Sequence, residues 1–219
     1  MKIKVYPFGP LQANSYLVIF ENDAFIIDPC VPLEILDLAG LRVRGIFCTH
    51  AHFDHIIESN HYREQLGSMI MVHELDIPAM NDSEINGSDS ISSRIVVPEP
   101  LYPLRDNDVL HAQDFDMDGK NPFSITVMHT PGHTRGSICL LFAAKDCETV
   151  LFSGDTIFAG TVGRTDLGGS MPDMIQSIRR ISLLPDNVRI YPGHGASTSV
   201  GIEKSVNPYF TALSYNDII

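Results

Sequence analysis

Short apolar runs separated by turn residues make up the first third of the chain. Lys2–Tyr6 alternates between polar and apolar positions until a Gly-Pro pair interrupts it. Two further runs, Ser15–Phe20 and Ala24–Asp28, flank a polar turn at residues 21–23. This pattern predicts three short β-strands, the last two of them paired as a hairpin.

Helical and strand-like segments alternate through the rest of the chain. Helical spacing predicts helices at Pro32–Ala39, Ile56–Leu66 and Met171–Leu183. Apolar runs predict further strands at Val43–Cys48, Met69–Val72, Phe123–Met128, Ser137–Phe142, Thr149–Ser153 and Val188–Tyr191. Strand-rich halves that each contain helices predict a layered α/β fold. Because no linker or repeat interrupts the pattern, we expect one domain over residues 1–219.

The segment between Asp76 and Asp108 follows neither period. It begins as a polar, turn-rich stretch and continues as a proline-broken one. Unstructured connections of this length are uncommon in compact domains unless they are functional or mobile. We therefore expect a long loop or a partial lid here.

Charge and composition narrow the choice of partner and compartment. The chain has 15 basic and 27 acidic residues and a formal net charge of −12, whereas nucleic-acid binding requires clusters of lysine and arginine. No stretch reaches the roughly 18 apolar residues of a membrane span, and the start lacks the apolar core of a signal peptide. The four cysteines show no CxxC spacing, which indicates reduced thiols. We expect a cytoplasmic protein with neither nucleic-acid nor membrane partners.

Histidines concentrate where the predicted strands end. His50, His52, Asp54 and His55 directly follow the strand that ends at Cys48. Residues two apart on an extended chain lie on the same side, so His50 and His52 can reach one metal together. Asp54 and His55 can point to a second position nearby. Imidazole and carboxylate ligands suit Zn²⁺, and also Fe²⁺ or Mn²⁺.

Three later segments repeat this arrangement of an apolar strand, a ligand-type residue, and glycine or proline. They are ITVMHTPGHT, TVLFSGDT and VRIYPGHG, which contribute His129, Asp155 and His194. Glycine in such a turn lets the backbone come close to a bound group. Seven nitrogen and oxygen ligands could serve two metals and a shared water if one carboxylate bridges them.

Four motifs together resemble those of the metallo-β-lactamase superfamily: T-H-x-H-x-D-H, T-P-G-H-T, S-G-D-T and Y-P-G-H-G. The chain is most similar to its glyoxalase II (hydroxyacylglutathione hydrolase) branch, from Asn14–Val18 to His194. The resemblance implies a four-layer αββα sandwich with a dinuclear site at one edge, holding two divalent ions for which zinc is the first expectation. It implies that the first metal is held by His50, His52 and His129, the second by Asp54, His55 and His194, with Asp155 as the bridge. His133 is expected to support the site without binding metal.

The reaction implied is hydrolysis of a small-molecule thioester. Two divalent ions lower the pKa of a shared water and polarise the carbonyl, and the bridging hydroxide attacks. Asp54 is expected to orient that hydroxide as the catalytic residue. Because a thiol has a pKa of about 8.5, it leaves with little help from an acid, whereas an amide nitrogen must be protonated. This difference favours thioesters over lactams.

Two features limit the resemblance. Glutathione-specific members carry an additional C-terminal helical region, whereas only a short tail follows His194. Many of them also have lysine and tyrosine where Arg164 and Asp166 stand. Arg164 could bind a substrate carboxylate, or it could form an internal ion pair with Asp166.

Two alternatives to hydrolysis remain open. The Gly163–Asp166 sequence resembles the short single-domain glyoxalase II-like hydrolases and also the persulfide dioxygenases. The persulfide dioxygenases use one iron, here expected on His50, His129 and Asp155. A non-enzymatic binding module is the third hypothesis, and chelation of the metal would distinguish it.

Overall fold

The computed structural model describes residues 1–91, 93–117 and 122–211. The strands are β1 (Lys2–Phe8), β2 (Ala13–Phe20), β3 (Asp23–Ile27), β4 (Arg42–Phe47), β5 (Ile70–His73), β6 (Tyr102–Leu104), β7 (Val109–His111), β8 (Phe123–His129), β9 (Ile138–Ala144), β10 (Val150–Gly154), β11 (Ile157–Phe158), β12 (Thr161–Val162), β13 (Arg189–Pro192) and β14 (Thr198–Ser199). The helices are α1 (Phe53–Ile56), α2 (Ser59–Leu66), α3 (Ile77–Met80), α4 (Met171–Ser182) and α5 (Val200–Val206).

Two six-stranded sheets form the centre of the molecule. The first has the order β1-β2-β3-β4-β5-β6, and its strands are parallel from β3 to β6. The second has the order β14-β13-β10-β9-β8-β7 and is antiparallel except for the pair β10–β13. A hairpin of β11 and β12 stands apart from both.

The central strands, such as β3 and β10, are buried on both faces, which explains why they have nearly continuous apolar runs. In β3, Phe25 and Ile27 face the second sheet and form the cluster between the sheets, whereas Ala24 and Ile26 face the helices. The first sheet packs its outer face against α1, α2 and α3, and the second packs its outer face against α4 and α5. The predicted αββα sandwich is therefore confirmed.

Two helix predictions need correction. The helix predicted at Pro32–Ala39 is only a 3-10 turn at Leu33–Ile35, because Leu36 becomes extended and buries its side chain in the outer cluster. The helix predicted at Ile56–Leu66 is interrupted between α1 and α2, where the Glu58 amide donates to the Pro29 carbonyl.

The segment between Asp76 and Asp108 has more structure than a loop. It contains α3, a 3-10 turn at Ser88–Ser90 and the edge strand β6. Its polar stretch is tied together by buried side chains such as Asn86, which donates to the Ala79 and Ile95 carbonyls. Across the described residues, no helix is long and apolar enough to cross a membrane. Residues 212–219 of the expected domain lie outside the described part.

Phe25 is central to the interior, because its ring contacts the rings of Phe20, Phe47, Phe115, Phe123 and Phe142. Phe25→Ala should lower the free energy of unfolding by about 3–5 kcal/mol, because the neighbouring side chains cannot fill the cavity that the lost ring leaves. Phe8→Ala is the control, because Phe8 is 40% exposed and its loss should cost less than about 1 kcal/mol. Urea unfolding measures both, and equal losses would contradict this account of the core.

Candidate metal centre

The polar residues come together where two pairs of parallel strands end, β3–β4 in the first sheet and β10–β13 in the second. His50 follows β4 in the first sheet, whereas Asp155 follows β10 and His194 follows β13 in the second. Asn14 in β2 joins the two sheets at this edge. Its amide donates to the Gly193 carbonyl (2.7 Å), and its side chain donates to the Pro192 and Gly195 carbonyls (3.0 Å each).

The first ligand-type group consists of His50, His52 and His133. Their ring nitrogens lie within 4.8 Å of one another, and all three residues are buried. His52 Nδ1 lies 2.7 Å from His133 Nε2. Three imidazoles that converge in this way match a site for zinc or a similar ion.

A second group, Asp54, His55 and His194, lies beside the first. His55 Nε2 is 3.2 Å from His194 Nε2, and Asp54 Oδ2 is 3.4 Å from the same atom. Asp155 lies between the two groups: its Oδ1 is 3.4 Å from His55 Nε2, and its Oδ2 is 3.4 Å from His133 Nε2. One carboxylate thus reaches both groups.

Three buried side-chain atoms lack a hydrogen-bond partner in the described structure, and two of them, His50 Nε2 and Asp155 Oδ1, belong to these groups; the third is Arg179 Nε. Leaving a buried polar atom unpaired is costly, so a ligand for both atoms is expected. A divalent cation suits them, because both are electron-pair donors within the convergent groups.

In His133, His194 and His55, the ring nitrogen that points away from the groups has a hydrogen-bond partner. Such a partner orients the ring, as it does in metal-binding histidines. His133 Nδ1 donates to the Arg164 carbonyl (2.7 Å), and His194 Nδ1 donates to the Leu11 carbonyl (2.9 Å). His55 Nδ1 lies 3.0 Å from Asp28 Oδ2. In each ring, the other nitrogen is therefore the one that faces the group.

Burial sets the charge of the histidines. It is the main cause that lowers the pKa of His52 and His133 to about 4, and neighbouring histidines add to it at His52. These rings are neutral at pH 7, which is the form that binds metal. Burial also acts on His55, but the carboxylates of Asp155, Asp28 and Asp54 outweigh it and raise its pKa to about 10. Their combined field favours a cation at this position.

Two buried carboxylates that we did not predict support the ligand-type residues. Asp28 accepts from the Thr49 amide (2.7 Å) and hydroxyl (2.8 Å) and also contacts His55. Asp76 accepts from the Ala51 amide (2.9 Å), the Thr134 hydroxyl (2.9 Å) and the Gly136 amide (2.7 Å). The sequence signal for Asp28 was present, because it follows an apolar strand and precedes a proline.

Gly193 allows the backbone to approach the site. A Cβ at this residue would collide with Asp155 Oδ1 and lie 2.8 Å from His55 Cε1. The glycine before His194 is therefore required by space, as the strand-end pattern indicated.

The structure corrects the expected positions of two histidines. His129 ends β8 and belongs to none of the convergent groups; its ring stacks on His73 at 4.1 Å, and its Nε2 donates to the Arg135 carbonyl. His133, which we expected to have a supporting role, occupies the place predicted for His129. Val127 and His129 lie on the same side of β8, so His129 points towards the first sheet near the end of β5 rather than into the groups.

A cavity of about 770 Å³ opens above the groups. Its walls include the apolar side chains of Leu11, Phe53, Ile85 and Leu167. Arg164 also lines it, but both oxygens of Asp166 accept from its guanidinium at 2.6 Å. The internal ion pair considered for Arg164 is thus present.

The fold and this site define a metal-binding αββα protein. The family model of the metallo-beta-lactamase superfamily matches residues 8–194, and the chain belongs to this superfamily. The predicted superfamily is thereby confirmed, and a metal-dependent hydrolase is supported.

Similar proteins extend over nearly the whole chain. The probable metallo-hydrolase YqgX of Bacillus subtilis is 32% identical, covering 98% of this chain and 100% of that protein. The hydroxyacylglutathione hydrolase GloC of Haemophilus influenzae is 30% identical, with coverage of 98% and 100%. Two solved structures are similar as well. The B3 metallo-beta-lactamase BLEG-1 has a TM-score of 0.83 and 32% identity, covering 96% of this chain and 100% of that one. TTHA1623, in a di-iron-bound form, has a TM-score of 0.78 and 31% identity, with coverage of 94% and 99%.

Whether His133 or His129 contributes to metal binding can be tested directly. His133→Ala should weaken metal binding by at least about 10-fold, the lower end of the cost of losing even an outer partner. His129→Ala should leave the metal content unchanged. Elemental analysis after dialysis against a weak chelator measures both variants. Metal loss from the His129 variant alone would restore the original assignment.

Proposed function

We propose that the protein is a dinuclear metal-dependent hydrolase of small-molecule thioesters. The observation that carries this proposal is the position of Asp155 between two convergent groups of ligand-type atoms, at the floor of a cavity. His50, His52 and His133 would hold the first ion, and Asp54, His55 and His194 the second, with Asp155 between them. Zinc fits these nitrogen and oxygen donors, as do iron and manganese.

The ions, when bound, supply a water of lowered pKa and polarise a carbonyl oxygen. The protein's own contribution is to hold and orient. Asp54 lines the cavity, and its pKa stays below the usual range because His55 and His194 outweigh the effect of burial. As a carboxylate it accepts a hydrogen bond from the attacking water and fixes the direction of attack.

Thioesters fit this site better than amides do. A thiolate leaves without prior protonation, because its conjugate acid has a pKa of about 8.5. The relative named hydroxyacylglutathione hydrolase supports the same substrate class. That relative aligns with this chain over its full length, which supports glutathione as a candidate carrier.

Metal stoichiometry separates this proposal from the mononuclear iron alternative. We expect two divalent ions per chain, and Asp155→Ala should reduce the occupancy of both positions because its carboxylate reaches both groups. Elemental analysis is the measurement. One iron per chain and no second metal would favour the persulfide dioxygenase, and loss of a single ion in the variant would contradict the bridging role.

Hydrolysis of S-lactoylglutathione tests the reaction class. Asp54→Asn should lower kcat by about 10²–10⁴-fold, the usual contribution of a residue that handles the proton of the nucleophile. His61→Ala is the matched control and should leave the rate nearly unchanged, because His61 is 40% exposed and contacts Glu34 outside the groups. Faster turnover of a chromogenic β-lactam than of any thioester would refute the proposed substrate class.

A further inference from the structure

A side recess of about 140 Å³ adjoins the main cavity. The two share His52, Ile85, Leu167 and Gly168, so a substrate bound over the ligand groups can extend into the recess. Its walls are largely apolar: Ala51, Leu75, Pro78, Ala79, Ile85 and Leu167. Among the described residues that line it, Arg135 is the one arginine or lysine.

The guanidinium of Arg135 is free to bind a ligand. Arg135 is exposed, and within residues 1–91, 93–117 and 122–211 its side chain has neither an ion-pair nor a hydrogen-bond partner. Arg164 differs, because both oxygens of Asp166 occupy its guanidinium. Asp76 also lines the recess, but it is 2% exposed and its oxygens already accept three hydrogen bonds.

The backbone of Arg135 is held on both sides. His129 Nε2 donates to the Arg135 carbonyl at 2.9 Å, and the following amide of Gly136 donates to Asp76 at 2.7 Å. Thr134, which precedes it, also donates to Asp76. The segment that carries His133 therefore presents Arg135 from a fixed position, which reduces the entropy lost on binding.

The size and charge of the recess define its ligand. At about 140 Å³ the recess is much smaller than the main cavity of about 770 Å³, so it suits a small branch of a substrate rather than a whole ligand. Arginine binds carboxylates in a bidentate geometry. We propose that Arg135 binds a carboxylate on the thiol arm of the substrate, and this inference rests on the proposed thioesterase function.

Two thioesters that differ by a single carboxylate test the assignment. The lactoyl thioester of N-acetylcysteine carries the carboxylate, and that of N-acetylcysteamine lacks it. The wild type should have the higher kcat/KM with the first. Arg135→Gln should reduce this preference by about 5- to 20-fold, mainly through KM, because one charge-assisted contact is lost. Arg135→Lys should restore part of the preference, since it keeps the charge.

Arg164→Gln is the matched control and should change the preference by less than about 2-fold, because its guanidinium is already paired. Titration calorimetry with S-hexylglutathione, which cannot be hydrolysed, gives a readout independent of turnover; Arg135→Gln should weaken this binding by a similar factor.

An unchanged preference in Arg135→Gln, or an equal loss in Arg164→Gln, would overturn the assignment. Hydrolysis of neither thioester, with weakened S-hexylglutathione binding in Arg135→Gln, would refute the thioesterase function and retain the carboxylate site.

Discussion

The connection between the two sheets through Asn14 is the constraint on which the site depends. Asn14 lies in the first sheet, and its three hydrogen bonds end on carbonyls around His194 in the second. Tyr16, two residues further along β2, donates to the Pro192 carbonyl at 2.6 Å. Because ligand-type residues come from both sheets, a shift of one sheet against the other would separate them. The aromatic interior holds the sheets face to face, and these buried hydrogen bonds fix their relative position at the edge.

Buried carboxylates then convert this edge into a rigid site. Asp28 connects β3 to His55 and to the backbone of Thr49, and Asp76 connects the turn between His50 and His52 to the segment that follows His133. Each carboxylate accepts from backbone amides as well as side chains, so neither is an unpaired buried charge. The ligand atoms are therefore held close together by neighbours, and the cost of gathering them is met during folding.

His129 gains a different meaning in this arrangement. Although it does not join the convergent groups, it holds the Arg135 carbonyl and stacks on His73. The segment from Thr130 to Ser137 thus carries His133 towards the groups and Arg135 towards the side recess. The same loop therefore carries both a residue of the candidate metal centre and the residue that we propose for carboxylate binding.

Much of this protein follows from the sequence alone. Apolar runs located most strands to within a few residues, because strands buried on both faces have a strong local signal. The strand-end pattern pointed to His50, His52, Asp54, His55, Asp155 and His194, which the structure brings together, because these residues lie in the short segments that follow β4, β10 and β13. The partial structure of the segment after Asp76 was missed, because buried polar contacts such as those of Asn86 leave no periodic trace.

Tertiary structure alone decided between His129 and His133. Both lie in the same short motif, and local spacing favours the residue at the strand end. The pleat of β8 directs His129 towards β5, however, and the loop that follows returns His133 to the groups. The positions of Asp28 and Asp76 and the free guanidinium of Arg135 likewise depend on contacts between segments distant in the sequence. The sequence specifies which residues can bind a metal, whereas the point at which they converge is defined only when the two sheets pack together.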